Sequence, residues 1–236
     1  MFERPHHHSV AQVLSALDGP LFRENKCLFG GGTLIALRYG EYRESVDIHF
    51  MVSDLAGYRT LRQLLTGPPG IAAIVRRDAI PLKEARALRA DQYGIRTALL
   101  VGEEPIKFEI VLEGRVALAA PTPSDAICGI ATLTPLDMVT GKLLANSDRW
   151  ADDAAFSRDL IDLAMMTPRL GLLREAVAKA EHAYGGSILQ DLEKAIDRMQ
   201  NRDGWLERCM LAMAINLPKA QIWQRIRALR RILPSK

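Results

Sequence analysis

The sequence predicts an α+β protein in which a mixed-sheet half precedes an all-helical half, with the boundary near residue 130. From about residue 26 to 133, short apolar runs alternate with turn residues, a pattern typical of strands broken by occasional helices. Beyond Thr134-Pro135, Leu, Ala, Met, Lys and Arg dominate, and these residues favour helices. The chain has 236 residues, 48% of them hydrophobic and 25% charged, which excludes a disordered or fibrous protein.

The first domain is assigned to residues 1–130. Its candidate strands are residues 26–29, 46–52, 71–75, 94–101, 106–112 and 116–119. Gly67-Pro68-Pro69-Gly70 and Pro121-Thr122-Pro123 mark turns between them. A short helix is expected from about Leu34, directly after the first strand. For His6-His7-His8 we favour a mobile polar N-terminal segment over a metal site.

The second domain is assigned to residues 131–236. Thr134 is the predicted N-cap of its first helix, with Pro135 at the first helical position and Asp137 in the first turn. Helices are expected to break at Thr167-Pro168, Gly185-Gly186 and Leu217-Pro218.

The C-terminal segment from residue 219 onward is basic and has no acidic residue. Its apolar stripe is formed by Ile222, Ile226, Leu229 and Leu233, which predicts that it packs on the helical domain with its arginines outward. Such a face is either an ordinary solvated surface or a contact for a polynucleotide backbone.

Charge, cysteine content and hydropathy limit the partners and the cellular compartment expected for the protein. A net charge of +3 and a pI near 8.8 permit a nucleic-acid partner without requiring one. The three cysteines are widely spaced and match no zinc or disulfide framework. No stretch approaches the roughly 20 apolar residues of a membrane helix, and the first residues lack the apolar core of a secretory signal. A cytoplasmic protein without a membrane partner is expected.

Glycines follow the first predicted strand, in the sequence Gly31-Gly32-Thr33. Glycines at a strand-to-helix turn let backbone N–H groups approach a phosphate, and the helix N-terminus favours anions. Taken alone, this segment is explained at least as well by an ordinary tight turn.

Three side chains on the predicted strands could hold a metal. Asp47 and His49 are two positions apart and would point to the same face of one strand, and Glu109 lies on another apolar strand. A carboxylate on an apolar strand is costly unless it serves something such as a metal. Two alternatives stay open: Glu109 pairs with Lys107 on an exposed sheet face, or Glu113 supplies the third carboxylate.

The helical half carries a second group of polar side chains. Lys142, Asn146 and Arg149 stand at i, i+4 and i+7, so they form one stripe that either grips a triphosphate or is a solvated face. Asp159 and Asp162 share a helix face, and Asp162 could be a structural partner of Arg158 or Arg149.

Four motifs together resemble a known family. Gly31-Gly32-Thr33 and the following Arg43-x-Ser45-x-Asp47-x-His49-Phe50 resemble motif I of nucleotidyltransferases related to DNA polymerase β. Lys142-Leu143-Leu144-Ala145 with Arg149, and Arg158-Asp159-Leu160-Ile161-Asp162-Leu163, resemble the lysine and closing motifs of the AbiEii/AbiGii-type toxins of abortive-infection and toxin–antitoxin systems. The motifs occur in the family's order between residues 31 and 163.

The resemblance implies that an NMP group is transferred from an NTP to an RNA acceptor such as a tRNA 3′ end, and that a separately encoded antitoxin opposes the protein. It implies catalytic roles for Asp47, Glu109, Lys142 and Asp159. The implied nucleotide-binding residues are Gly31, Gly32, Thr33, Arg43, Ser45, Lys142 and Arg149. The implied ligands of a Mg²⁺ ion are Asp47, His49 and Glu109.

His49 departs from the family pattern, in which motif I ends Asp-x-Asp. Mg²⁺ prefers oxygen ligands, whereas imidazole suits transition metals better, so Mn²⁺ or another divalent ion is an alternative. The alternative function is a catalytically impaired protein on the same fold that binds a nucleotide or RNA. Relatives in the wider superfamily modify proteins or small molecules, so the sequence leaves the acceptor open.

Overall fold

In the computed structural model of this chain, residues 2–234 are described, and they divide into two compact units. The first unit contains the chain up to Leu37 together with Ser45–Thr134. The second contains Arg38–Glu44 and the chain from Pro135 onward.

The first unit is built on a five-stranded mixed sheet of order β1-β2-β5-β4-β3. The strands are β1 (Cys27–Gly30), β2 (Ile48–Val52), β3 (Lys83–Ala90), β4 (Gly94–Val101) and β5 (Glu104–Leu112). Strands β2 and β5 are parallel, whereas the other neighbours are antiparallel. A separate hairpin joins β6 (Ala126–Ile127) to β7 (Ile130–Ala131). Its two turn residues, Cys128 and Gly129, both have positive φ, as tight hairpin turns require.

Four helices belong with this sheet: α1 (Pro5–Ala16), α2 (Gly19–Glu24), α3 (Gly31–Arg38) and α4 (Leu55–Thr66). The Asp54 carboxylate caps α4 by accepting the Gly57 N–H at 2.8 Å. The apolar side chains of α4 recur at helical spacing and are buried at Tyr58, Leu61 and Leu65.

One face of the sheet forms the core and the other is open. Along β5, Ile106, Phe108 and Ile110 are buried, whereas the alternate positions Lys107 and Glu109 are more exposed. Phenylalanine rings pack on the buried face, with centroid separations of 4.5–5.7 Å, at Phe22, Phe29, Phe50 and Phe108. The predicted site residues of β2 and β5 therefore lie on the open face.

The structure corrects several element predictions. Residues 71–75 are not a strand but lie largely in a 3₁₀ helix (Gly70–Ile74), and residues 116–119 form no strand. Strand β3 was missed because an exposed edge strand rich in charged residues lacks the apolar alternation of a half-buried one. The strand predicted from residue 46 begins at Ile48.

The N-terminal histidines are also placed differently from the prediction. They lie in α1, which has Pro5 at its first position. His7 is completely buried, and its Nε2 accepts the Ser45 N–H at 3.3 Å. The interpretation as a mobile polar segment is therefore wrong.

The second unit is helical. Its helices are α5 (Pro135–Arg149), α6 (Arg158–Met165), α7 (Leu170–Tyr184), α8 (Ser187–Asn201), α9 (Trp205–Ala212) and α10 (Lys219–Ala228), with 3₁₀ turns at Asp153–Ala155 and Leu229–Ile232. The predicted start at Pro135 and the three predicted helix breaks are confirmed. Within residues 2–234, no helix is both long enough and apolar enough to cross a membrane.

The C-terminal segment packs as predicted through its apolar stripe, with Ile222, Ile226 and Leu229 buried and Leu233 half-buried. Its basic side chains are not all directed to solvent. The Arg230 guanidinium pairs with Asp197, and the Arg231 guanidinium donates to the Pro168 carbonyl.

The short segment Arg38–Glu44 joins the second unit through backbone hydrogen bonds. The Glu44 N–H donates to the Met213 carbonyl at 3.0 Å, and the Asn216 N–H donates to the Tyr42 carbonyl at 3.4 Å. This long-range return of the chain brings Tyr42 and Arg43 to the helical unit.

Candidate active site

The glycine turn directly connects β1 to α3, which begins at Gly31 without an intervening loop. Gly31 has φ of +73°, and a Cβ atom there would lie 3.1 Å from the His49 Cβ. Both the backbone conformation and the close approach to His49 therefore favour glycine. The first N–H groups of α3 have no helical acceptor, so the turn can bind an anion beside His49.

Thr33 and Ser45, both predicted to bind nucleotide, are hydrogen-bonded to each other, and Thr33 also bonds to the loop that carries Asp47. The Thr33 hydroxyl donates to the Asp47 carbonyl at 2.5 Å, so the Ser45 hydroxyl donates to Thr33 Oγ1 at 2.8 Å. Thr33 is only 2% exposed. Asp47 precedes β2 and its side chain is exposed, where it is available to a ligand.

His49 and Glu109 are brought together by the parallel pairing of β2 with β5, in which they are direct partners. Their Nδ1 and Oε2 atoms are 3.6 Å apart. Glu109 also accepts from Arg96 Nε at 2.7 Å and pairs with Lys107 Nζ at 2.9 Å. The contact with His49, together with Lys107 and Arg96, holds the pKa of Glu109 well below its ordinary range and outweighs the opposing effect of burial.

These side chains do not form the oxygen-rich ligand set that Mg²⁺ prefers. Each Glu109 oxygen already contacts a cationic side chain, and His49 contributes a nitrogen in place of a carboxylate. Among residues 2–234, no group of three or more His, Cys, Asp or Glu side chains is arranged to hold a metal ion. The predicted metal requirement at Asp47, His49 and Glu109 stays a prediction.

Glu113, the alternative third carboxylate, has a different environment. It is 3% exposed, and its oxygens accept from Arg115 Nε at 3.0 Å and Nη2 at 2.7 Å. This pairing explains a buried carboxylate without any ligand, whereas Glu109 is the carboxylate that lies opposite His49. The predicted pair between Glu109 and Lys107 is also present.

In the second unit, Lys142 joins the two aspartates of α6. Its Nζ is 2.8 Å from Asp159 Oδ1 and 2.6 Å from Asp162 Oδ2. All three side chains are at least nine-tenths buried. Burial alone would raise the pKa of Asp159, but the charge of Lys142 and the hydrogen bonds of Arg149 hold it well below the ordinary range.

The polar stripe of α5 packs toward α6, so its interpretation as a solvated face is wrong. Arg149 donates to Asp159 through Nε at 2.6 Å and Nη2 at 3.0 Å, while its side chain is 36% exposed. Asn146 is 2% exposed, and within residues 2–234 its Nδ2 has no hydrogen-bond partner. Asn146, Arg149, Ser157 and Asp159 line a small cavity in this unit.

Arg43, predicted to bind nucleotide, forms a buried fork with Asp162. Its Nε and Nη2 atoms donate to the two carboxylate oxygens at 2.7 and 3.0 Å, and the Tyr42 hydroxyl donates to Asp162 Oδ1 at 2.5 Å. Burial opposes the charged form, but Arg43 and Lys142 hold the pKa of Asp162 below its ordinary value. Asp162 therefore has a structural role, with partners other than Arg158 and Arg149.

Two site residues escaped the sequence reasoning. Arg96 could have been found, because the Gly102-Glu103 turn between the predicted strands sets a register that pairs Arg96 with Glu109. Tyr42 had no local signal, since its partner Asp162 is 120 residues away.

The fold of this chain is shared with a known structure. Over 97% of this chain and 94% of the other, it is similar to a crystal structure described as a candidate nucleotidyltransferase from H. pylori, with a TM-score of 0.52 and 14% sequence identity. At that identity the likeness shows a shared fold alone. No curated protein matches the chain.

The family follows from the sequence itself. Residues 13–224 match the family described as nucleotidyl transferase AbiEii toxin, type IV toxin–antitoxin system. The match covers most of the chain, so the protein belongs to the AbiEii nucleotidyltransferase toxin family.

Proposed function

We propose that the protein transfers an NMP group from an NTP to an RNA acceptor, a tRNA 3′ end, and thereby acts as a toxin opposed by a separately encoded antitoxin. The observation that supports this most is the Gly31 turn, where helix α3 begins beside His49 and its first N–H groups can bind an anion. Thr33 donates to the backbone carbonyl of Asp47, whose side chain is exposed on the adjacent loop. An anion-binding turn next to a positioned carboxylate suits phosphoryl chemistry, in which positioning and charge neutralisation dominate.

The roles of the cationic residues follow from their partners. Arg149 is held by Asp159 and its side chain is 36% exposed, so it is more accessible to a phosphate than Lys142, which is 9% exposed. We propose Lys142 and Asp159 as the groups that orient it. Arg43 is already engaged in a buried ion pair, so we omit it from the proposed nucleotide ligands.

The second candidate function is a nucleotide- or RNA-binding protein without transferase activity. The observation that favours it is the pairing of the Glu109 carboxylate, whose two oxygens contact Arg96, Lys107 and His49. A carboxylate with these partners is poorly placed to hold a second metal ion.

The deciding experiment measures label transfer from each of the four NTPs to total tRNA, with Mg²⁺ and Mn²⁺ in separate arms. The variants are Asp47→Asn, His49→Asp and the control Asp78→Asn, which changes a carboxylate 78% exposed in the same unit. Asp47 and Asp78 are both exposed, so neither neutralisation should disturb folding.

Transfer by the native protein and by Asp78→Asn, with loss in Asp47→Asn, is the result expected for the transferase. Transfer only by His49→Asp would establish the second candidate, a disabled enzyme on an intact scaffold. Activity that survives in Asp47→Asn would contradict the proposed role of this carboxylate. The difference between the two metal arms tests the predicted Mg²⁺ or Mn²⁺ requirement.

A further inference from the structure

A row of charged side chains crosses the open face of the sheet. The strand registers pair Gly30 with His49, His49 with Glu109, Glu109 with Arg96, and Arg96 with Arg89. Directly opposed residues on neighbouring strands point to the same face, so these positions form one continuous line.

A second row runs beside the first. Arg86 is paired with Ala98, and Ala98 is paired with Lys107. The two rows together form what we call the basic sheet face, which is Arg86, Arg89, Arg96 and Lys107. Glu109 is the single carboxylate in these rows.

The cations of this face are accessible. The side chains of Arg96 and Lys107 are 42% and 54% exposed, and Arg86 and Arg89 are exposed on the edge strand β3. Neither Arg86 nor Arg89 takes part in an ion pair within residues 2–234. Their charges are therefore available to an anion in solution.

The position of the basic sheet face indicates what it binds. Its first row ends at Gly30 and His49, next to the Gly31 turn that we propose to hold the triphosphate. A polynucleotide strand bound along this row would have its end at the reacting phosphates, which is the geometry that an acceptor strand needs. Three of the four cations are arginines, whose planar fork matches phosphate oxygens.

The chemistry of the face favours a polynucleotide over a protein. The fully buried centre of a protein interface is depleted in charged residues and rich in Phe, Tyr and Trp, whereas these two rows contain none of those three residue types. We propose that the basic sheet face binds the phosphate backbone of the RNA acceptor. This inference rests on the transferase function proposed above and adds to it the surface on which the acceptor lies.

The test measures the affinity of the full chain for fluorescently labelled total tRNA as the salt concentration is raised from about 50 to 200 mM. The variant is Arg86→Gln with Arg89→Gln, and the matched control is Arg59→Gln with Arg62→Gln. The control arginines are exposed on α4, whose buried side chains are Tyr58, Leu61 and Leu65. Both double variants remove the same charge from the same unit.

Each lost phosphate contact lowers the slope of log K against log salt by about 0.7–0.9. We expect the Arg86/Arg89 variant to lose about 1.4–1.8 of slope and to bind tRNA about tenfold or more weakly at low salt, with the control unchanged. An unchanged slope in the Arg86/Arg89 variant, or an equal loss in the control, would overturn the proposal. So would a native protein that does not bind tRNA at all.

The failure of this inference is distinguishable from the failure of the proposed function. If the native protein transfers label to tRNA but the Arg86/Arg89 variant binds tRNA normally, the proposed RNA-binding surface is wrong and the proposed transferase function stands. If no label is transferred to any acceptor but the Arg86/Arg89 variant shows the expected loss of salt-dependence slope, the transferase function is wrong and the basic sheet face remains an RNA-binding surface.

Discussion

Asp162 shows how much one buried carboxylate can organise. It is fully buried and accepts from Arg43, Tyr42 and Lys142, so it joins the segment Arg38–Glu44 to helices α5 and α6. Each partner is itself largely buried, so no water can replace Asp162 at low cost. The family-like Arg-Asp-x-x-Asp-Leu motif thus combines Asp159, which faces a half-exposed arginine, with Asp162, which stabilises the fold.

Asp162→Asn is expected to destabilise the protein by about 3–5 kcal/mol, because it leaves the Arg43 charge buried without its counter-ion. The measurement is urea denaturation at neutral pH. The control is Asp191→Asn, which breaks the more exposed pair with Lys194 and should cost about 1 kcal/mol or less. Equal losses in the two variants would show that the buried network has no special importance for stability.

At the scale of elements, the junction of β1 and α3 is the most constrained segment of the first unit. The strand passes into the helix at a residue of positive φ, and β2 places His49 against the same point. A side chain at Gly31 would oppose both the backbone conformation and the position of His49. The glycine that could be read as an ordinary turn residue is therefore required by the neighbouring strand.

Gly31→Ala is expected to lower stability by about 1–3 kcal/mol and to weaken NTP binding, since it combines left-handed strain with displacement of His49. The control is Gly102→Ala, which has a similar positive φ of +62° but no atom near a Cβ. The control should lose some stability and keep its NTP affinity, as measured by calorimetric titration with each NTP. Equal weakening of NTP binding in both variants would show that the Gly31 turn is not part of the nucleotide site.

At the scale of the whole molecule, both units contain carboxylates whose pKa values are held below their ordinary range. In the first unit these are Glu109 and Glu113, and in the second Asp159 and Asp162. Each is paired with arginine or lysine in the folded state and loses that partner on unfolding. A carboxyl of lowered folded-state pKa stabilises the protein above its unfolded-state pKa, and this stabilisation is lost as the pH falls toward the folded-state value.

The free energy of unfolding should therefore change little because of these groups between pH 7 and about 5 and fall steeply below about pH 4, where the unfolded chain binds more protons than the folded one. Urea denaturation at a series of pH values measures this dependence. Asp162→Asn should show a shallower acid slope, since one of the responsible groups is gone. A stability that stays constant down to pH 3 would contradict this account.

The sequence by itself determined the fold class, the order of its two halves and most of the helix breaks. These depend on local signals: Pro135 at a helix start, Gly185-Gly186 at a helix end, and the alternation of apolar residues along β5. It also indicated the candidate site residues, because burying a charged side chain on an apolar strand or helix costs free energy unless the charge has a partner. The exposed edge strand β3 was missed for the complementary reason, since it buries too little apolar surface to show a period.

Only the tertiary structure decided what those side chains contact. The pairing of β2 with β5 set His49 against Glu109, and the return of Arg38–Glu44 to the helical unit gave Asp162 its partners. It also distinguished the two carboxylates that the sequence offered as a third metal ligand. Glu113 pairs with Arg115, whereas Glu109 lies among the cations of the open sheet face. The physical reason is that local sequence limits backbone conformation, whereas contacts between polar side chains 60 to 120 positions apart depend on strand register and helix packing, which form only when the whole chain folds.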